Sequence, residues 1–207
     1  MKKIFTIILA IAIILPVTIV AQNKALEKAL QKEYKQKLKE YKKEGWKIYG
    51  SSRTLEVALL THYDELNAMG GSGTEIVGVC SRYKSDNIGH QTAINNACNI
   101  YARNAGSAIK GRIVSEMLSD ASSAEEFDKF YAVYEASVEK EIRGELKESF
   151  SIYKVLGNGE KTMQTYFIVN EDVAVKARVR AYERAIKENN ALQRYVGKVG
   201  EFVKAGI

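Results

Sequence analysis

Two stretches toward the C-terminus, Glu145 to Leu156 and Lys161 to Val169, alternate apolar and polar residues and are separated by Gly157-Asn158-Gly159-Glu160. An Asn-Gly loop between two runs of period two predicts a β-hairpin, because Asn and Gly accept the positive φ that a tight antiparallel turn demands. No other pattern in the chain constrains the fold as strongly. It commits the chain to an antiparallel sheet, and a sheet must bury at least one face beneath helices.

Those helices are legible on both sides of the hairpin. Residues 24–44, KALEKALQKEYKQKLKEYKKE, lack Gly and Pro, and Leu26, Leu30, Tyr34, Leu38 and Tyr41 recur at helical spacing in one narrow stripe. That stripe either docks on its own domain or pairs with a partner helix, and Gly45 stops it. Trp46 to Gly50 reads as a short strand. Ser51 or Ser52 then caps a helix from Thr54 to about Met69, with Leu55, Ala58, Leu59, His62, Tyr63 and Leu66 along one face. Gly70-Gly71-Ser72-Gly73 reads as a flexible connector. Phosphate-binding loops lead from a strand into a helix, and this one leads from a helix into the strand Ile76 to Tyr83.

After a polar break at Lys84 to Gly89, a long helix from about His90 to Leu118 is dense in alanine (Ala93, Ala97, Ala102, Ala105, Ala108), which lets its axis approach a sheet closely. The polar joint at 119–124, with Ser122 or Ser123 as cap, begins another helix whose Phe127, Phe130, Tyr131, Tyr134, Val138 and Ile142 face the core. Asn170-Glu171-Asp172 caps a helix from Val173 to about Asn189. It carries Ala174, Ala177, Val179, Ala181, Tyr182 and Ile186 inward and a basic face outward, and Ala191 to Val203 forms a last amphipathic piece. The expected fold is α+β: a layered single domain with about four mostly antiparallel strands, packed by the long Ala-rich helix and further helices, with an amphipathic helix at the N-terminus.

The first residues carry a different message. Met1-Lys2-Lys3 precedes the uncharged run Ile4 to Val20, Pro16 breaks its helix, and Ile19-Val20-Ala21 offers a small residue at a cut. This is the pattern of a secretory signal, with cleavage expected after Ala21. The other reading is a retained anchor, since the run just reaches the roughly 18 to 20 residues of a membrane span. No cysteine lies near position 22, so a lipid anchor is not expected. Without Lys2 and Lys3 the formal charge falls from +6 to +4. The remaining Lys and Arg are interleaved with acids, unlike the dense basic stripe that nucleic-acid binding demands. The mature chain of about 186 residues is large enough to fold without metal or disulfides. The expected divisions are a signal at 1–21, the amphipathic helix at 22–44, the α+β domain at 45–190 and a helical tail at 191–207.

The strand ending in Gly, the Ala-rich AINNACNIYARNAGSAIKGRIVSE, the second helix and the hairpin ESFSIYKV…TMQTYFIVNEDVA together resemble the LPP20-like family of bacterial envelope proteins. The opening GWKIYGSSRTLEVALLTHYDEL is similar to a set of secreted Bacteroidetes proteins of the same arrangement. The resemblance covers about residues 45–188 and lies in pattern and order. It implies an α+β envelope protein without an assigned catalytic activity, and it carries over no functional residues.

Catalysis by cysteine or histidine would have to use Cys80, Cys98, His62 or His90, the chain's thiols and imidazoles. His62 sits at the margin of its helix face, as a partly buried, hydrogen-bonded histidine. Cys98 lies about 12 Å along the helix from His90, beyond hydrogen-bond reach. Cys80 and Cys98 are either a disulfide, if strand 76–83 lies under helix 90–118, or two separate buried thiols. Glu125-Glu126 and Glu171-Asp172 stand at helix starts, where capping explains them. There is no HExxH, CxxC or calcium-loop pattern, so neither metal nor cofactor is expected. The expectation is an exported, non-enzymatic protein of the periplasm or cell envelope that works by contact with an envelope protein or surface component. It has no nucleic-acid partner and no membrane span after signal cleavage. The alternatives are a small-ligand or glycan binder, with a pocket near Trp46, Tyr49, Tyr83 and the Gly70 to Gly73 loop, and a homo-oligomer joined through helix 24–44.

Overall fold

The computed structural model describes residues 28–116, 124–189 and 195–205. The expected signal, its cut after Ala21 and the Ser122/Ser123 cap lie outside the described residues. The chain divides into two compact units, Met1–Glu44 and Gly45–Ile207.

In the first unit, residues 28–44 form helix α1. Leu30, Tyr34 and Leu38 are partly buried and Tyr41 is buried, so the stripe read from the sequence lies on one face. Gln36 Nε2 donates to Glu40 Oε1 at 3.0 Å, and Lys37 Nζ stands 5.9 Å from the centre of the Tyr41 ring.

The second unit runs β1 (Lys47–Tyr49), α2 (Leu55–Met69), a 3-10 turn (Gly70–Ser72), β2 (Gly73–Tyr83), α3 (Asp86–Glu116), α4 (Ala124–Ile142), β3 (Lys147–Val155), β4 (Lys161–Asn170), α5 (Glu171–Lys187) and α6 (Val196–Lys204). The four strands form one antiparallel sheet in the order β1-β3-β4-β2. The hairpin closes as its sequence requires. Leu156 N donates to Glu160 O at 2.7 Å, Gly159 N to Leu156 O at 2.9 Å, and Glu160 N to the Asn158 side chain at 3.0 Å.

Register sorts the side chains between two faces. Ile76, Gly78 and Cys80 of β2 stand opposite Phe167, Thr165 and Met163 of β4, on the face that α3 covers. Behind α3 lie α4, α5 and α6, and the main core forms there from Tyr101, Ile113, Phe127, Phe130, Tyr134, Val169, Ala177 and Phe202 among others. The opposite face carries Tyr166, Ile168, Phe150 and Ile152, and α2 packs on it through His62. The result is an α+β layered domain with one helix on one face and a helical layer on the other.

Alanine in α3 serves close approach. A Cβ built on Gly78 would stand 1.9 Å from the Ala93 carbonyl oxygen and 3.1 Å from the Ala97 methyl, so helix backbone rests almost on strand backbone. Asn96 of α3 also reaches β2, donating to Val79 O at 3.0 Å.

Several boundaries differ from the sequence reading. The cap of α2 is Thr54, whose Oγ1 accepts from Val57 N at 3.3 Å, while Ser51 accepts from Arg53 N in a turn of its own. Helix α3 begins at Asp86, four residues before His90, because the glycine that looked like a break is packed under the Tyr83 ring and its N–H already bonds to Ser85 O at 2.9 Å. The Gly70–Ser72 segment is a hydrogen-bonded turn, in which Ser72 Oγ donates to Met69 O at 2.8 Å. Asn170 caps α5 by accepting from Asp172 N at 2.9 Å, and α5 starts at Glu171.

Candidate functional site

β1 is short because Gly50 takes φ +66°, a conformation that suits glycine, and turns the chain out of the sheet. Had β1 continued, residues 50–53 would have paired with β3 residues 150–147. The chain instead swings away through Ser51 and Arg53 before α2 returns, and a cleft of about 540 Å³ opens where the rest of the strand would have run. Its floor is Lys147 to Ser151 of β3, one wall is Ala58, Thr61 and Glu65 of α2, and Tyr49, Gly50, Ser51 and Arg53 close the end. Ser149 has no partner in the β3–β4 register, which shifts between Glu148 and Phe150, so a bulge lies in the cleft floor.

The polar groups of the cleft are organised by long-range contacts. Lys147 Nζ donates to Glu65 Oε2 at 2.9 Å, tying β3 to α2. The Glu148 carboxylate accepts from His90 Nε2 at 3.0 and 3.1 Å and from Ser151 Oγ at 2.6 Å. Ser151 Oγ also stands 3.0 Å from Thr165 Oγ1. A hydroxyl has one proton, and that of Ser151 is committed to a carboxylate that can only accept, so Thr165 donates to Ser151. Ser151 and Thr165 are buried, and the Tyr49 ring lies 5.3 Å from the His90 ring at 51°. Arg53 has no side-chain partner among the described residues.

Of the ligand contacts expected from the sequence, Tyr49 alone lines this cleft. Trp46 is buried with the Lys154 ammonium 4.8 Å from its ring. Lys154 shares its side of β3 with Phe150, on the face that α2 covers, whereas Tyr49 stands opposite Ser151 on the other. Tyr83 is buried among Cys80, Ala93 and Met163, with Tyr49 and Tyr153 packed against that cluster. Burial, with the nearby Asp86 carboxylate adding to it, pushes the Tyr83 phenol well up. The Gly70 to Gly73 turn enters β2 at the end opposite Tyr83, about 33 Å away along an extended strand. Tyr49 and Tyr83 therefore meet in a packed cluster, and neither Trp46 nor the glycine turn joins them in one pocket.

The two cysteines are free and buried, which corrects the disulfide alternative. Cys80 points at the α3-covered face of the sheet, while Cys98 follows Ala97 by about 100° of helix and belongs to the main core, where Glu139 and Arg143 are its charged neighbours. Burial raises the Cys98 thiol pKa. His62 is fully buried, not marginal: its Nε2 meets Glu75 Oε2 at 2.6 Å, and the Phe150 and Tyr166 rings flank it at 5.4 and 5.8 Å.

Arg178 stands apart from the basic outer face of α5: it is buried, where its guanidinium meets Tyr101 Oη, Glu171 Oε2 at 2.6 Å and Val203 O at 3.4 Å. Burial opposes its charge, but the bonds to Glu171 and Tyr101 more than offset that, and the net shift of its pKa is upward. Among the described residues no group of three His, Cys, Asp or Glu could hold a metal ion, and no helix is long and apolar enough to cross a membrane.

No family model matches the chain, and no curated protein matches it.

Proposed function

We propose that this is an exported, non-enzymatic protein of the cell envelope that works by contact, and that the cleft at the end of β1 is the contact site. The observation that carries the reading is the arrangement around Glu148. This carboxylate lies between the imidazole and the hydroxyl, so the Ser151 proton and the His90 Nε2–H both point at it. In hydroxyl catalysis the imidazole would touch the hydroxyl and take its proton. Here the chain of bonds holds the cleft floor rigid, which is what a binding surface needs. Export rests on the signal pattern of residues 1–21, and envelope residence on the LPP20-like resemblance of residues 45–188.

The test is site-specific photo-crosslinking in intact cells. A crosslinker at Ser149, in the cleft floor, is expected to give a discrete adduct with an envelope component, and one at Val114, exposed on α3 and outside the cleft, is expected to give none. Equal labelling from both positions, or no adduct from Ser149, overturns the reading.

A further inference from the structure

We infer that the cleft binds a carboxylated saccharide, with Arg53 taking the carboxylate and the floor of β3 taking the hydroxyls; this rests on the cleft being the contact site.

The unoccupied stretch of β3 presents polar groups in a pattern that suits a polyol. No strand of the described residues pairs with Lys147 to Phe150 on the side where β1 stops, so that edge offers backbone N–H and C=O groups to the cleft. Beside them stand the hydroxyls of Thr61 and Ser149. Among the described residues Glu148 Oε2 receives the His90 contact alone and keeps a lone pair for a further donor. Few apolar side chains, chiefly Ala58 and Phe150, line the cleft, so an apolar ligand would gain little there. The volume is in the range of small-ligand sites.

An added peptide strand fits less well. The bulge at Ser149 interrupts the regular edge, and Lys147 stands on it; both are devices that discourage strand pairing.

Charge selects the acid. Lys147 is paired with Glu65, and Glu148 is held by Ser151 and His90. Arg53 is the lining cation with no partner among the described residues, and its planar fork matches a carboxylate with two parallel hydrogen bonds. With Glu65 and Glu148 lining the same cleft, a monoanion is favoured over a phosphate dianion.

Calorimetric titration of the purified protein with galacturonic acid, galactose and galactose 6-phosphate tests the assignment. Galacturonic acid is expected to bind, with galactose and the Arg53→Gln variant each weaker by about tenfold or more, as loss of a charge-assisted bidentate contact implies. Arg53 is exposed, so an unchanged melting temperature will show that the variant is folded. Equal binding of galactose, stronger binding of the phosphate, or binding indifferent to Arg53→Gln overturns the inference. If Ser149 crosslinks as expected while galacturonic acid does not bind, the saccharide assignment fails and the contact site stands. If Ser149 gives no adduct, the contact reading itself has failed.

Discussion

Arg178 shows what one buried charge does to the helical layer. Its guanidinium joins α5 to Tyr101 of α3 and to the Val203 carbonyl of α6, and Glu171 supplies the counter-charge. Among the described residues its second terminal nitrogen and the nearby Tyr134 hydroxyl have no hydrogen-bond partner, so the network is bound more by its ion pair than by full hydrogen bonding. Breaking a buried pair by removing one member is costly, because the other charge stays desolvated. Arg178→Met should lower unfolding free energy by about 3 kcal/mol, the low end for such pairs because Glu171 is partly exposed, and adding Glu171→Gln should recover part of that loss. Urea denaturation of the two single variants and the double variant measures both. Additive losses would mean that the two residues act independently.

At the scale of elements, the contact of α3 with β2 decides how the sheet is covered. Gly78→Ala would push a methyl into the Ala93 carbonyl, and the helix must shift; the expected loss is about 1 to 3 kcal/mol or more. Gly111 lies in the same helix with nothing near its absent Cβ, so Gly111→Ala should raise stability by up to about 1 kcal/mol through helix propensity alone. Thermal melts of the two variants should move in opposite directions. The order of these elements was legible because each follows its own period, two in SFSIYKV and about four around Phe127 to Val138. Boundaries were less legible where a packing partner, such as Tyr83 over Gly89, turned a polar break into helix. The cleft could not be read at all. Glu148 meets His90 across 58 residues and Lys147 meets Glu65 across 82, and such pairings follow from strand register, not from any local pattern. Burial of Arg178 was hidden for the same reason, since helical spacing alone cannot distinguish an outward arginine from one whose partners lie on α3 and α6.

For the whole molecule, the buried phenols set an upper pH limit. Burial raises the pKa of Tyr83, Tyr101, Tyr134 and Tyr182, and Tyr131 is pushed up to about 12. A tyrosine ionises at about 10 in the unfolded chain, so above that pH the unfolded state has lost protons that the folded state keeps. The stability tied to these groups is therefore complete below about pH 10 and declines as pH rises toward 12 and beyond. Absorbance at 295 nm should rise in two stages, exposed tyrosines first and the buried set together with loss of near-ultraviolet circular dichroism. Titration of all tyrosines near pH 10 without unfolding would contradict the burial.

The long outer strand has one more consequence. β2 pairs with β4 along one side and has no strand on the other among the described residues, which in isolation would invite fibril-like growth from molecule to molecule. Yet α3 rests directly on β2 at Gly78. A second copy that paired its own β2 antiparallel with that edge would carry its α3 on the same face, about one strand spacing away, roughly 4.8 Å, where packed helices need 8 to 10 Å. The same close approach that penalises a methyl at position 78 thus acts as a bumper against antiparallel pairing of two sheets through β2.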